Sequence, residues 1–96
     1  MTTVLMVRSK IKAAHIADVE AAAKRVFAAI EQAQFKGIRY TPCRLSDGAT
    51  YVALLEVDEG VQNPLPALAE FTEFQENLKH WMAEPPIVEQ MTVVGS

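Results

Sequence analysis

The sequence predicts an α+β fold of the ferredoxin-like type: a four-stranded antiparallel sheet with two helices on one face, in the order β-α-β-β-α-β. Three observations carry that expectation. Four short runs rich in β-branched and other apolar residues are separated by two stretches whose apolar residues recur every three or four positions. An Asp-Gly pair, Asp47-Gly48, sits between the second and third β-like runs, which is a hairpin signal. Two βαβ halves that obey the right-handed crossover rule bring both helices to the same side of one sheet.

Residues 3–9 form the first expected strand, apolar and β-branched through Val4, Leu5, Met6 and Val7. Residues 13–35 then change period. Ile16, Val19, Ala23, Val26, Ile30 and Ala33 make the stripe of an amphipathic helix. The stretch is alanine-rich without Gly or Pro, so propensity agrees with pattern, and Gly37 is its expected stop. Strands follow at 38–45 and 50–57 around the turn Ser46-Asp47-Gly48-Ala49. Asn63 before Pro64 predicts a cap on a short helical segment at 65–70. Thr72 three residues ahead of Gln75 has capping-box spacing, which predicts a main helix over 72–83 with Phe71, Phe74, Leu78, Trp81 and Met82 on its apolar side. Pro85-Pro86 ends it, and residues 87–94 are the fourth strand.

Length and charge bound the rest. The chain has 96 residues and one cysteine, Cys43. One domain, residues 1–96, is expected. An internal disulfide and any zinc site that needs two thiolates are excluded. Residues 1–45 carry eight Lys/Arg against three Asp/Glu, and residues 46–96 one against nine, for a net charge of −3. The pI of about 5.3 and the scatter of the basic residues argue against a nucleic-acid partner. The start of the chain has no secretory pattern, and the longest apolar runs are about five residues against the ~20 of a membrane span. A cytoplasmic location, no membrane association and a reduced Cys43 are expected.

The strands predict an assembly. An antiparallel sheet with one wet face alternates apolar and polar residues. Here Leu5 and Val7 oppose Val4 and Met6, and Tyr51, Ala53, Leu55 and Val57 oppose Val52 and Leu54. Strands apolar on both sides need two covers, and the helices supply one. A homodimer that presses two sheets together supplies the other.

Candidate chemistry is sparse. His15 and His80 fall on different helices with no metal-ligand spacing, so no metal and no cofactor are expected. Cys43 reads as a small strand-packing residue, and Glu70, Glu73, Glu76 and Glu84 as a solvated helix face. The groups suited to a pocket are Arg8, Arg39, Tyr40, Tyr51 and Trp81. If Leu5 and Val7 face the helices, Arg8 points to the opposite side and needs an anionic partner there, with Glu56 and Glu89 as candidates.

The topology, the size, and the stretch Phe71-Thr72-Glu73-Phe74-Gln75-Glu76-Asn77-Leu78 followed by Pro85-Pro86-Ile87-Val88 resemble the dimeric α/β-barrel superfamily, in particular its antibiotic-biosynthesis-monooxygenase-like branch. The resemblance implies paired sheets and a pocket in or beside the barrel. It also implies cofactor-independent oxygenation of quinol-like or polyaromatic compounds as one activity of the group. In haem-degrading members a histidine ligand follows a helix-two phenylalanine by four positions. That position is Leu78 here, the tryptophan position falls near Leu68, and a strand-one asparagine falls near Arg8. His80 lies roughly 200° further round the helix and does not substitute, so haem degradation is not implied.

Two functions follow. One is a cofactor-independent, monooxygenase-like protein acting on a small apolar aromatic substrate. The other is a non-catalytic dimeric module that binds a small hydrophobic ligand or a protein partner. For either, Arg8, Tyr40, Tyr51, Phe74 and Trp81 are the candidate ligand-binding residues.

Overall fold

The chain follows its two periodicities in a computed structural model that describes residues 2–95. The elements are β1 (Thr3–Lys10), a 3-10 turn (Ala13–His15), α1 (Ile16–Ala33), β2 (Ile38–Arg44), β3 (Thr50–Val57), a second 3-10 turn (Leu65–Ala67), α2 (Ala69–Trp81) and β4 (Ile87–Thr92). The sheet order is β2-β3-β1-β4, antiparallel throughout. This is the expected ferredoxin-like α+β arrangement. Pro42 lies within β2. Proline donates nothing to a ladder, and β2 is accordingly an edge strand.

The register assigns every strand residue to a face. Leu5, Val7 and Ser9 lie opposite Leu55, Ala53 and Tyr51, and Tyr40 and Pro42 lie opposite Leu55 and Ala53. Both helices pack on this face, where Val26, Ile30, Tyr40, Leu55 and Leu65 form the buried cluster and Phe71 and Phe74 close over it. Leu65 is 0% exposed, a burial that contributes about 1.5–3 kcal/mol. Asn63 holds it there by accepting the Leu65 N–H at 3.0 Å. The other face carries Val4, Met6 and Arg8, then Val52, Leu54 and Glu56, then Ile87, Glu89 and Met91. Ile87 is 52% exposed and Met91 39%.

Several boundaries differ from the sequence reading. α1 ends at Ala33, because Gln34 takes the left-handed conformation (φ 51°) and its N–H reaches Glu31 O at 3.3 Å. Gly37 instead serves the turn into β2 with φ +74°, where a Cβ would stand 2.7 Å from Val61 Cγ2. The first helical segment spans 65–67 rather than 65–70. α2 starts at Ala69, not Thr72. Thr72 is therefore inside the helix, where its hydroxyl donates back to Leu68 O and Pro66 O at 3.4 Å instead of capping. α2 also stops at Trp81, before the prolines, because Met82 bridges to Ile11 and Ala83 N–H donates to Lys10 O at 2.8 Å. β4 ends at Thr92 rather than 94.

The hairpin forms at the expected place. Gly48 N–H donates to Leu45 O at 3.0 Å, and Gly48 takes φ +74°. Asp47 does more than turn the chain. Its carboxylate accepts from Ala49 N (2.9 Å), Thr50 N (2.8 Å) and Thr50 Oγ1 (2.6 Å). These bonds, the Thr50 hydroxyl foremost, pull its pKa down to about 2. No helix among the described residues is long and apolar enough to cross a membrane.

Candidate functional site

Between the helices and the sheet lies a cavity of about 100 Å³. Leu5 and Val7 of β1, Tyr40 and Pro42 of β2, and Tyr51, Ala53 and Leu55 of β3 supply one wall. Val19 and Ala23 of α1 and Phe71, Phe74, Gln75 and Leu78 of α2 supply the other. Small side chains at Ala23 and Ala53 leave room where larger ones would close it. The α2 spacing 71, 74, 75, 78 is one helical face. Tying the C-terminal end of α2 to the end of β1, with Lys12 N–H donating to Trp81 O at 2.8 Å, sets that face over the sheet.

The polar groups at this cavity are few. Tyr51 Oη is buried and has no hydrogen-bond partner among the described residues. Such a hydroxyl is destabilising by about 1–3 kcal/mol until something completes it. Burial pushes the Tyr40 phenol above its ordinary pKa of 10.0, so it stays protonated at neutral pH. No His, Cys, Asp, Glu, Lys or Arg lines the cavity. A second, outer recess of about 270 Å³ abuts it and shares Ala23, Pro42 and Tyr51 as walls. Glu20, Lys24, Phe27, Cys43 and Arg44 complete that recess.

Of the five residues singled out from sequence, Tyr40, Tyr51 and Phe74 meet at the cavity. Arg8 and Trp81 do not reach it. Arg8 stands in register with Val52 and Ile87 on the helix-free face, exposed and without an ion pair among the described residues. Its expected partner Glu56 is taken by Arg39, whose Nε donates to Glu56 Oε2 at 2.6 Å while Nη2 donates to Asp58 Oδ1 at 3.1 Å. Glu56 first and Asp58 second hold the Arg39 guanidinium charged, at the surface rather than in a pocket. Trp81 stacks on His15, ring centroids 6.2 Å apart and 25° from parallel. His15 Nδ1 lies 3.0 Å from Asp18 Oδ2. Cys43 is exposed on the edge strand and is not a packing residue. Among the described residues no cluster of three or more His, Cys, Asp or Glu is arranged to hold a metal ion.

The sequence reading passed over Gln75, Ala23 and Pro42, and the whole recess. One signal for the recess was present: Phe27 lies off the apolar stripe of α1, and it is 40% exposed.

No family model and no curated protein sequence matches the chain. Solved structures do. A cofactor-independent oxygenase, SnoaB of Streptomyces nogalater, is 20% identical at TM-score 0.75, over 99% of this chain and 95% of that one. A candidate antibiotic biosynthesis monooxygenase of Caulobacter crescentus is 18% identical at TM-score 0.79, over 98% and 91%. A conserved protein of Methanosarcina mazei is 14% identical at TM-score 0.79, over 95% and 91%. At these identities the similarity is one of fold: the chain has the fold of the antibiotic-biosynthesis-monooxygenase-like proteins.

Proposed function

We propose that the protein is a cofactor-independent, monooxygenase-like enzyme that takes one end of a small, electron-rich hydroxyarene into the cavity beneath α2. The observation that carries this reading is Tyr51 Oη, buried and unpartnered at the wall of an apolar cavity. A ligand hydroxyl or carbonyl supplies the missing bond. The apolar walls exclude water, Tyr51 orients the reacting ring, and the protonated Tyr40 phenol offers a donor to negative charge that develops on it. The chemistry balances without an external reductant. A hydroquinone plus O2 gives the hydroxyquinone plus water, with one oxygen atom in the ring, one in water, and all four electrons drawn from the substrate.

The same reading includes a homodimer in the cytoplasm, its helix-free sheet faces packed together. That face presents Met6, Val52, Leu54, Ile87 and Met91, and burying ~600 Å² of apolar area per protomer gives a gross ~15 kcal/mol before association costs. Arg8 then lies between the sheets and is paired by Glu89 of that face, since Glu56 is held by Arg39.

Oxygen-electrode measurements with a hydroquinone and naphthohydroquinone panel test the catalytic reading. Uptake above buffer with one O2 consumed per hydroxyquinone formed supports it. Buffer-level uptake across the panel refutes it. One observation favours the non-catalytic alternative: the cavity lining holds no His, Asp, Glu, Lys or Cys to act as a general base, and the Tyr40 phenol stays protonated at neutral pH. Calorimetric binding of those compounds without oxygen uptake identifies the protein as a binding module.

A further inference from the structure

We propose that the outer recess between α1 and β2 is a second subsite, which holds the carboxylate end of an aromatic ligand whose apolar end fills the inner cavity. The inference rests on reading that cavity as the ligand site, and it names the class of ligand: a fused-ring hydroxyarene carrying one carboxylate.

Four features converge. The recess and the cavity share Ala23, Pro42 and Tyr51, so one molecule can touch both. Separately, the inner volume of about 100 Å³ is short of a ligand pocket; together the two come within the usual range of roughly 300–1,000 Å³. The inner cavity offers no counter-charge, and an ionised group is not buried without one. Any charge on the ligand therefore sits outside, in the recess.

The recess is built for that end. Phe27, Ala23 and Pro42 give it apolar walls, and Lys24 of α1 and Arg44 of β2 bring two cations from two elements. Glu20 is the one carboxylate there, paired with Arg44 through Nη1–Oε1 at 2.8 Å. Lys24 has no ion pair among the described residues, so the recess carries a net positive charge. Arg44 spends one N–H on Glu20, and the rest of its guanidinium fork is free to take a carboxylate.

Calorimetry at about pH 7.5, where a carboxylate is ionised, compares 6-hydroxy-2-naphthoate with 2-naphthol, which lacks only the carboxylate. The wild type is expected to prefer the naphthoate by about tenfold at low salt. Lys24→Gln and Arg44→Gln each lower naphthoate affinity about three- to tenfold and leave 2-naphthol within about twofold. Glu20→Gln, which removes the competing carboxylate, tightens naphthoate binding about threefold. That gain keeps the test independent of any loss through misfolding. Equal binding of the two probes, or a naphthoate preference unmoved by all three substitutions, overturns the subsite and leaves the cavity reading standing. Heat from neither probe overturns both.

Discussion

Tyr51→Phe separates a ligand-binding hydroxyl from a structural one, because the two roles predict opposite signs for stability. The substitution keeps the ring and removes Oη alone. In the ligand-free protein that oxygen is buried without a partner, so no bond is lost and a desolvation penalty is relieved. The penalty for such groups is about 1–3 kcal/mol. Tyr51 is not fully buried as a residue, so the lower end applies, about 1 kcal/mol, which raises Tm by about 4–8 °C for a domain near 100 residues. Binding moves the other way. A net hydrogen bond contributes about 0.5–1.5 kcal/mol, so Kd for 2-naphthol rises about 2- to 13-fold, while Kd for naphthalene, which has no hydroxyl, stays put. Circular dichroism melts and calorimetry on both proteins measure the two effects. A variant that melts several degrees lower without ligand, or one that binds 2-naphthol as tightly as wild type, refutes the reasoning.

Three further outcomes follow from the same structure. Asp47, at about 2 in the folded hairpin against an ordinary 3.8, stabilises the fold above about pH 4 and loses that contribution as pH falls toward 2; Asp47→Asn is expected to lower Tm at neutral pH and to flatten the acid limb of a Tm-versus-pH curve, and an unchanged acid limb contradicts it. Leu54→Lys, a charge in the middle of the helix-free face, tests the proposed homodimer: if the sheets pair, the variant shifts sedimentation from dimer to monomer without altering the far-ultraviolet spectrum, and a wild type that sediments as a monomer, or a variant that still sediments as a dimer, removes the sheet-to-sheet pairing. Gly37→Ala meets both a positive φ and a 2.7 Å approach to Val61, so urea titration should show a loss of about 1–3 kcal/mol, and an unchanged midpoint rules out the strain.

The sequence displayed the elements but not their relative phase. Within β1 the separation of Leu5 and Val7 from Arg8 follows from the pleat, and within β3 so does the grouping of Tyr51 with Leu55. Which face of β1 matches which face of β3 is fixed by register, and here Ser9 pairs with Tyr51 while Arg8 pairs with Val52. That one step puts Tyr51 at the cavity and Arg8 on the far side. Tyr40 joins Tyr51 for the same reason, through its pairing with Leu55. Trp81 is the last residue of α2, and its indole stacks on His15 of the 3-10 turn before α1 instead of lining the cavity. Local chemistry explains the other differences. Thr72 satisfies its hydroxyl within the helix, and Gln34 adopts the left-handed cap that glycine more commonly fills. The recess was hidden because Glu20 and Lys24, one turn apart on α1, acquire meaning only once β2 brings Arg44 beside them.

The two rims of the sheet are guarded unequally. β2 carries Pro42 in its middle and arginines at 39 and 44, so a foreign strand that approaches that rim meets a missing donor and positive charge. The run of β4, Ile87-Val88-Glu89-Gln90-Met91-Thr92, is exposed along its whole length and has Glu89 as its lone charged residue. Neutralising that glutamate leaves a flat, sticky margin of six residues, the kind from which chains stack into fibres. Glu89 is thus the single charge set along that open rim.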